Sequence, residues 1–268
     1  MKDKIVIITG ASSGIGLACV KEFSERGSKV VFASRSIEKL KKIEGEISCD
    51  GCDVLAVQTD VSKQEDCKNL INKTVEKFGR IDVLINNAGI SMRATFKDTD
   101  IKVIRQLMEV NFFGAVYCTK YALPYLLESK GSLVGVTSIA GYHGLPGRSG
   151  YSASKFALHG FLETIRIENL KNGLHVLIAA PGFTASNIRK NALTANGLPQ
   201  GESPREEKRM MTSEKVAKAI YKGVKYRKRN IILTITGMMT VLAQRIFPHL
   251  LDRVFYIMLS KEPNSPFK

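Results

Sequence analysis

Tyr151 and Lys155 stand four residues apart in Tyr151-Ser-Ala-Ser-Lys155, with Ser138 thirteen residues upstream. Side chains at i and i+4 project from one helix face, which sets an ammonium beside a phenol. A phenol titrates near ~10 in water, and a neighbouring positive charge lowers that value by favouring phenolate. A phenol tuned in this way exchanges a proton with an alcohol or ketone near neutral pH. That is the acid–base half of a hydride transfer.

A glycine segment supplies the other half. Lys4-Ile-Val-Ile-Ile-Thr9 is an apolar run without polar alternation, as a strand buried on both faces requires. Gly10, Gly14 and Gly16 follow, and Leu17 to Arg26 reads as a helix. Strand, glycine turn and helix N-terminus form an anion site for a pyrophosphate, lined by Gly10, Ser12, Ser13, Gly14, Ile15 and Gly16. The spacing is G-x-x-x-G-x-G, unlike the G-x-G-x-x-G of most dinucleotide folds.

With these two signatures the chain resembles the classical short-chain dehydrogenase/reductases from residue 4 to about 235. Asp60-Val61, Asn86-Asn87-Ala88-Gly89, Asn111, Pro181-Gly182 and Thr184 match further family positions as they stand. Tyr151 to Glu168, followed by Pro181 to Ile188, looks most like membrane-associated steroid, retinoid and keto-lipid reductases. The resemblance implies that Asp60 and Val61 contact the adenine and that Asn86, Asn87, Ala88 and Gly89 pack against its ribose. It also implies that Pro181, Gly182, Phe183 and Thr184 meet the nicotinamide. Ser138 and Tyr151 would hold the substrate carbonyl oxygen, and Lys155 would support the phenolate and bond the nicotinamide ribose. Asn111 would hold a water linking Lys155 to solvent. His143, in the loop before Tyr151, is a further candidate for substrate contact.

Cofactor choice turns on the end of the second strand. Phe32-Ala-Ser-Arg35-Ser36 carries no carboxylate before Glu38, and Arg35 can pair with a 2′-phosphate. The expected cofactor is therefore NADP(H), bound as NADPH for reduction of a ketone. A basic residue at Ser13, common among NADP-preferring relatives, is absent.

The elements that must position these groups alternate. Apolar strands are read at 4–9, 29–33, 54–57, 81–85, 132–137 and 174–180. Helices are read at 37–47, 65–78, 101–127 with an interruption near Asn111 and Gly114, and 151–170. Such alternation predicts an α/β, doubly wound (Rossmann-type) parallel seven-stranded sheet with helices on both faces. Sites in such sheets lie at the carboxyl ends of strands, which Thr9, Asp60, Asn86, Ser138 and Pro181 all follow closely. Residues 190–212 are polar and rich in Pro, Gly, Lys and Glu, and read as a mobile loop.

The 268 residues are 44% apolar and 24% charged, with a net charge of +15, which suits one α/β domain. The lysines are scattered over helices and clustered at Lys222 to Arg229, without an aromatic-interleaved motif for bases, so nucleic acid is not an expected partner. The first strand begins at once, leaving no room for a signal peptide, and the expected location is cytoplasmic. Cys19, Cys67 and Cys118 read as core residues, and Cys49-Asp-Gly-Cys52 as loop thiols without a metal.

Residues 1–235 form the catalytic domain and 236–268 an amphipathic C-terminal extension. Ile231 to Ala243 is mostly apolar, and Ile246 to Leu259 alternates apolar and charged faces around Pro248, which would kink or divide a helix. No run reaches the ~20 residues of a spanning helix. The segment 222–260 therefore reads as a peripheral membrane contact, a subunit interface or a lid over the substrate cleft. The expected substrate is a hydrophobic ketone or its alcohol, a 3-keto-sphingoid base first and a steroid or retinoid carbonyl second. A homodimer or homotetramer through helices 101–127 and 151–170 is the family default. A non-enzymatic dinucleotide-binding or scaffold protein is the competing class, against which the intact Ser138, Tyr151, Lys155 and Asn111 argue.

Overall fold

Every residue of Ile5–Thr9 (β1) is buried, and successive side chains enter two different cores. Val6 and Ile8 face one layer and Ile7 the other, which is why the strand carries no polar alternation. The computed structural model describes residues 1–48, 53–203 and 210–267. The remaining strands are Lys29–Ser34 (β2), Val54–Gln58 (β3), Val83–Asn86 (β4), Ser132–Val136 (β5), His175–Ala180 (β6) and Asn230–Ile232 (β7). They form one parallel seven-stranded sheet in the order β3-β2-β1-β4-β5-β6-β7.

The helices are Gly14–Ser24 (α1), Ile37–Ser48 (α2), Gln64–Phe78 (α3), Ile101–Met108 (α4), Gly114–Glu128 (α5), Ser149–Glu168 (α6), Ser213–Lys225 (α7), Ile235–Ile246 (α8) and Pro248–Ser260 (α9). α1, α2 and α7 cover one face of the sheet through Phe23, Leu40, Val216 and Ile220. α3, α5 and α6 cover the other through Leu70, Cys118, Leu126, Leu158 and Leu162. The chain leaves β1 toward β2 and β3 on one side, and reaches β4 to β7 on the other. The crevice outside β1 and β4 is therefore the topological switch point, where such sheets bind ligands.

Three expectations are refined. The break in the 101–127 helix is a π-helical segment, Glu109–Phe113, that joins α4 to α5. The apolar run from Ile231 divides into β7 and α8, because three residues complete the sheet edge before Thr234 caps the next helix on the Gly237 N–H. Within the expected mobile loop, Ala192 and Leu193 are buried, and the Leu193 N–H donates to Ser91 O at 2.8 Å. Residues 204–209 of that loop, and Cys49 and Cys52, lie outside the described residues. Cys19, Cys67 and Cys118 are buried free thiols, as expected of core residues.

Pro248 divides the C-terminal extension into α8 and α9, opening the second helix at its first position, where a missing N–H is harmless. Leu251, Phe255 and Leu259 of α9 pack on Leu145 and Phe267. The extension is thus fastened to the loop between β5 and α6. No described helix is long and apolar enough to cross a membrane.

Candidate active site

Thr9 ends β1 and organises the glycine turn. Its hydroxyl accepts from the N–H groups of Asn87 and Ala88, both at 3.1 Å. The Asn87 amide donates to Thr9 O at 2.9 Å and Gly10 O at 3.2 Å. Gly10 and Gly14 hold φ of 65° and 55°, left-handed conformations that glycine adopts without strain. Asn87 is therefore the residue that locks the β1–α1 turn to the end of β4.

This turn fits a dinucleotide. α1 carries no acid in its first turn, and the Ser13 side chain makes no capping bond, so the first-turn N–H groups are left for an anion. The helix can begin this close to β1 only because Gly16 has no Cβ, which would lie 2.3 Å from Gly10 O. A Cβ at Gly89 would lie 3.2 Å from Asn111 Oδ1 and 3.4 Å from Lys155 Nζ. Glycine at position 89 thus lets the segment after β4 pack closely against Asn111 and the lysine expected to be catalytic.

The other residues expected at the cofactor have the following surroundings. The Asn86 side chain is buried and donates to Thr119 Oγ1 at 3.0 Å, tying β4 to α5. Asp60 neither caps α3 nor stands free: its carboxylate accepts from Ser62 N–H and Ser62 Oγ at 3.1 and 2.7 Å, in an Asx turn. Val61 packs on Gly114, where a Cβ would lie 2.8 Å from the valine Cβ. Arg35 is exposed just past β2, and the nearest following acid, Glu38, is held by the Ser36 hydroxyl at 2.9 Å. After β6, Pro181 and Thr184 are buried while Gly182 and Phe183 are partly exposed, and the Thr184 hydroxyl donates to Gly182 O at 3.2 Å.

The catalytic side chains converge at the ends of β5 and α6. Ser138 follows β5, its hydroxyl accepting from Ala140 N–H at 3.2 Å, and it hydrogen-bonds the Tyr151 phenol. Lys155 is buried and donates to Val136 O at 2.9 Å, with its Nζ 5.9 Å from the Tyr151 ring centroid. Asn111 is buried in the π turn. It accepts from Ile90 N–H at 2.8 Å and donates to Ile90 O and Ser154 Oγ, both at 2.9 Å. Its side chain therefore fixes the segment after Gly89 to the catalytic helix, a role additional to the water expected from the resemblance.

The electrostatics differ from expectation. Burial, the largest influence, pushes the Tyr151 phenol up, while Ser138 and the charges of Arg148 and Arg189 draw it down. The Lys155 ammonium itself is engaged by the Val136 carbonyl. Burial lowers Lys155 to about 8. Arg148 and Arg189 were invisible as site residues in the sequence, since neither belongs to a spaced motif.

His143, the further candidate for substrate contact, is held by residues of the C-terminal extension. Its Nδ1–H donates to Gln244 Oε1 at 2.6 Å, its ring packs on Phe255 with centroids 4.7 Å apart, and its Nε2 lies 3.9 Å from Asp252 Oδ1. It fastens α8 and α9 to the loop before α6. It also lines an open groove of about 790 Å³, together with Leu145, Pro146, Phe255, Tyr256 and Ile257.

With this geometry in hand, the comparisons are consistent. Residues 4–197 match the family model described as short chain dehydrogenase. The chain is 34% identical to dehydrogenase/reductase SDR family member 7B of Mus musculus, over 99% of this chain and 84% of that protein. It is 35% identical to 11-beta-hydroxysteroid dehydrogenase A of Arachis hypogaea, over 98% of this chain and 77% of that one. Among solved structures it superposes on an alcohol dehydrogenase of the archaeon Thermococcus sibiricus complexed with 5-hydroxy-NADP. The TM-score there is 0.78 with 26% identity, covering 87% of this chain and 96% of that one.

Proposed function

The chain belongs to the short-chain dehydrogenase family, and we propose that within it this protein reduces a lipophilic ketone to an alcohol with NADPH. One observation carries the reading: Ser138, Tyr151 and Lys155 converge at the carboxyl edge of the sheet, close against the Gly89 segment that follows β4. A pure binder has no use for a phenol so placed.

Bound NADPH supplies the hydride. Gly10 and Ser12 to Gly16 hold its pyrophosphate at the start of α1, and Arg35 its 2′-phosphate. Asp60 and Val61 would hold its adenine, Asn87 to Gly89 the adenosine ribose, Lys155 the nicotinamide ribose, and Pro181 to Thr184 the carboxamide. Ser138 and Tyr151 orient the carbonyl oxygen through their hydroxyls, and Tyr151 gives its proton to the forming alkoxide. Lys155, as ammonium, stabilises the phenolate left behind.

This assignment fixes a pH dependence. Reduction needs the protonated lysine, and the free enzyme's Lys155 titrates near about 8. The reductive kcat/KM is expected to be flat below that range and to fall as pH rises through it, because kcat/KM reports groups of the free enzyme. A reductive profile that stays flat through this range contradicts the role given to Lys155.

Support for NADPH comes from Arg35 and from Glu38 being drawn to Ser36. Arg35→Asp places an acid where it would take the ribose hydroxyls and repel a 2′-phosphate. The ratio of kcat/KM for NADPH over NADH is expected to fall by on the order of 10²-fold. An unchanged ratio, measured by initial rates with each nucleotide, removes Arg35 from the site.

The apolar groove between the loop before α6 and α9 supports a lipophilic substrate. Relatives named 11-beta-hydroxysteroid dehydrogenase favour a steroid carbonyl over the 3-keto-sphingoid base. The exposed Met238, Leu242, Ile246, Leu250 and Val254 of α8 and α9, flanked by Arg245 and Arg253, support peripheral contact with an anionic membrane on the cytoplasmic side. Exposed Ile101, Phe113, Phe156 and Ile167 support a homodimer through the faces of α4, the π-helical segment and α6. Product analysis by mass over steroid, long-chain and small polar ketones tests the substrate class. Reduction confined to small polar ketones ends the lipophile reading.

A further inference from the structure

The segment after α9 carries a buried carboxylate. Glu262, two residues past α9, has a side chain only 6% exposed, and its Oε2 lies 3.5 Å from Arg93 Nη2 and 3.6 Å from Arg148 Nη2. Both arginine side chains are at least nine-tenths buried. Arg93 also donates to Pro263 O at 2.6 Å. A carboxylate between two enclosed guanidiniums is a costly arrangement to break, because removing the acid leaves buried positive charge uncompensated.

Each partner belongs to a different wall of the cleft. Arg93 continues the segment after Gly89, and its N–H donates to Leu193 O at 2.8 Å, on the chain beyond β6 that carries Arg189. Arg148 opens the catalytic helix, its carbonyl accepting from Ser152 N–H at 2.8 Å. Between these walls, Ala94 N–H donates to Gly147 O at 3.0 Å. Gly147 holds φ 70°, and a Cβ there would lie 3.2 Å from Pro266 and 3.5 Å from Phe267, so the tail lies directly on the turn before α6.

We propose that Glu262 is a positioning residue of the active site, holding Arg93 and Arg148 so that the entry to the catalytic helix presents Tyr151 to the substrate. The C-terminal tail is then part of the reductase site. The inference rests on Tyr151 as the proton donor. Charged and polar groups facing that phenol come from four elements: Arg148 before α6, Lys155 on α6, Arg189 after β6 and Ser138 after β5. Arg148 draws the phenol down, and the Glu262 carboxylate offsets that charge. Neutralising Glu262 therefore moves the phenol's titration to lower pH. A purely structural tail contact would not move it.

The test compares Glu262→Gln and Glu262→Asp with wild type in the full chain. Glu262→Gln is expected to lower kcat about tenfold, to leave the KM for NADPH unchanged, and to move the phenol limb of the pH profile to lower pH. Glu262→Asp, which keeps the charge, is expected to restore the profile. Phenolate absorbance during a pH titration reads the same group without turnover: wild type minus Tyr151→Phe is set against Glu262→Gln minus the double variant. A shift to lower pH supports the proposal even where no ketone is turned over, an outcome that would tell against the reductase reading alone. A Glu262→Gln protein with an unmoved titration overturns the proposal, whether its rate is intact or falls only with the folded fraction in a thermal melt.

Discussion

Tyr151→Phe is expected to lower ketone reduction by on the order of 10³-fold while leaving NADPH affinity unchanged. The substitution deletes one oxygen, the atom that both orients the carbonyl and delivers the proton. Among the described residues, the two nearest polar groups are already engaged. Ser138 accepts from Ala140 N–H and lacks a base, while Lys155 donates to the Val136 carbonyl. The rest of the nucleotide cradle, from Gly10 to Thr184, is untouched, so binding measured by nucleotide fluorescence should match wild type. Burial raises the phenol, which means the hydroxyl sits where an apolar ring is tolerated, and the melting temperature should hold or rise. Residual turnover within a few-fold of wild type would assign the proton to another group.

Gly16→Ala is expected to abolish NADPH binding or soluble expression. Its Cβ would lie 2.3 Å from Gly10 O, 2.6 Å from Asn87 Nδ2 and 2.9 Å from Ala11 Cα. Two of those atoms are backbone, and the third is the amide that ties the glycine turn to β4, so the neighbours cannot rotate aside. Relief requires α1 to move away from β1, which carries the first-turn N–H groups out of the anion site. The loss in NADPH affinity is expected to be on the order of 10²-fold or more. Gly45→Ala is the control, because nothing lies within 4 Å of a Cβ there. Near-normal NADPH affinity in Gly16→Ala would place the pyrophosphate elsewhere.

What the sequence made legible follows from local physics. Strands buried on both faces announce themselves as continuous apolar runs, so β1, β2, β5 and β6 were readable to within a residue or two. An i, i+4 pair on one helix is likewise local, and Tyr151 and Lys155 stand on α6 as their spacing requires. The break at Asn111 was visible, although its π-helical form was not, since hydrogen-bond register leaves no compositional trace. Adjacent asparagines expose the limit: Asn86 and Asn87 share a sequence context, yet strand alternation turns one into α5 and the other onto the glycine turn. The contacts of His143 were hidden because its partners, Gln244 and Phe255, come from helices a hundred residues later. The Arg93–Glu262 clamp was hidden for the same reason, joining segments about 170 residues apart.

The phenol shows how an i, i+4 argument can be right in placement and incomplete in energetics. Helix geometry brings the lysine near the tyrosine, but a β5 carbonyl claims its ammonium, and burial then outweighs the charge. Arg148 and Arg189 supply much of the compensating field, which is why the tail that holds Arg148 bears on the chemistry.

The central claim is that hydride passes between a nicotinamide and a lipophilic carbonyl under the control of Tyr151. The most direct measurement is a reaction with NADPH deuterated on the transferable face of nicotinamide C4, using a steroid ketone and detecting product by mass. The account predicts an alcohol carrying one deuterium on the carbinol carbon, formed by wild type and absent with Tyr151→Phe. Alcohol formed equally by Tyr151→Phe, or no labelled alcohol from any lipophilic ketone while NADPH remains bound, would contradict it.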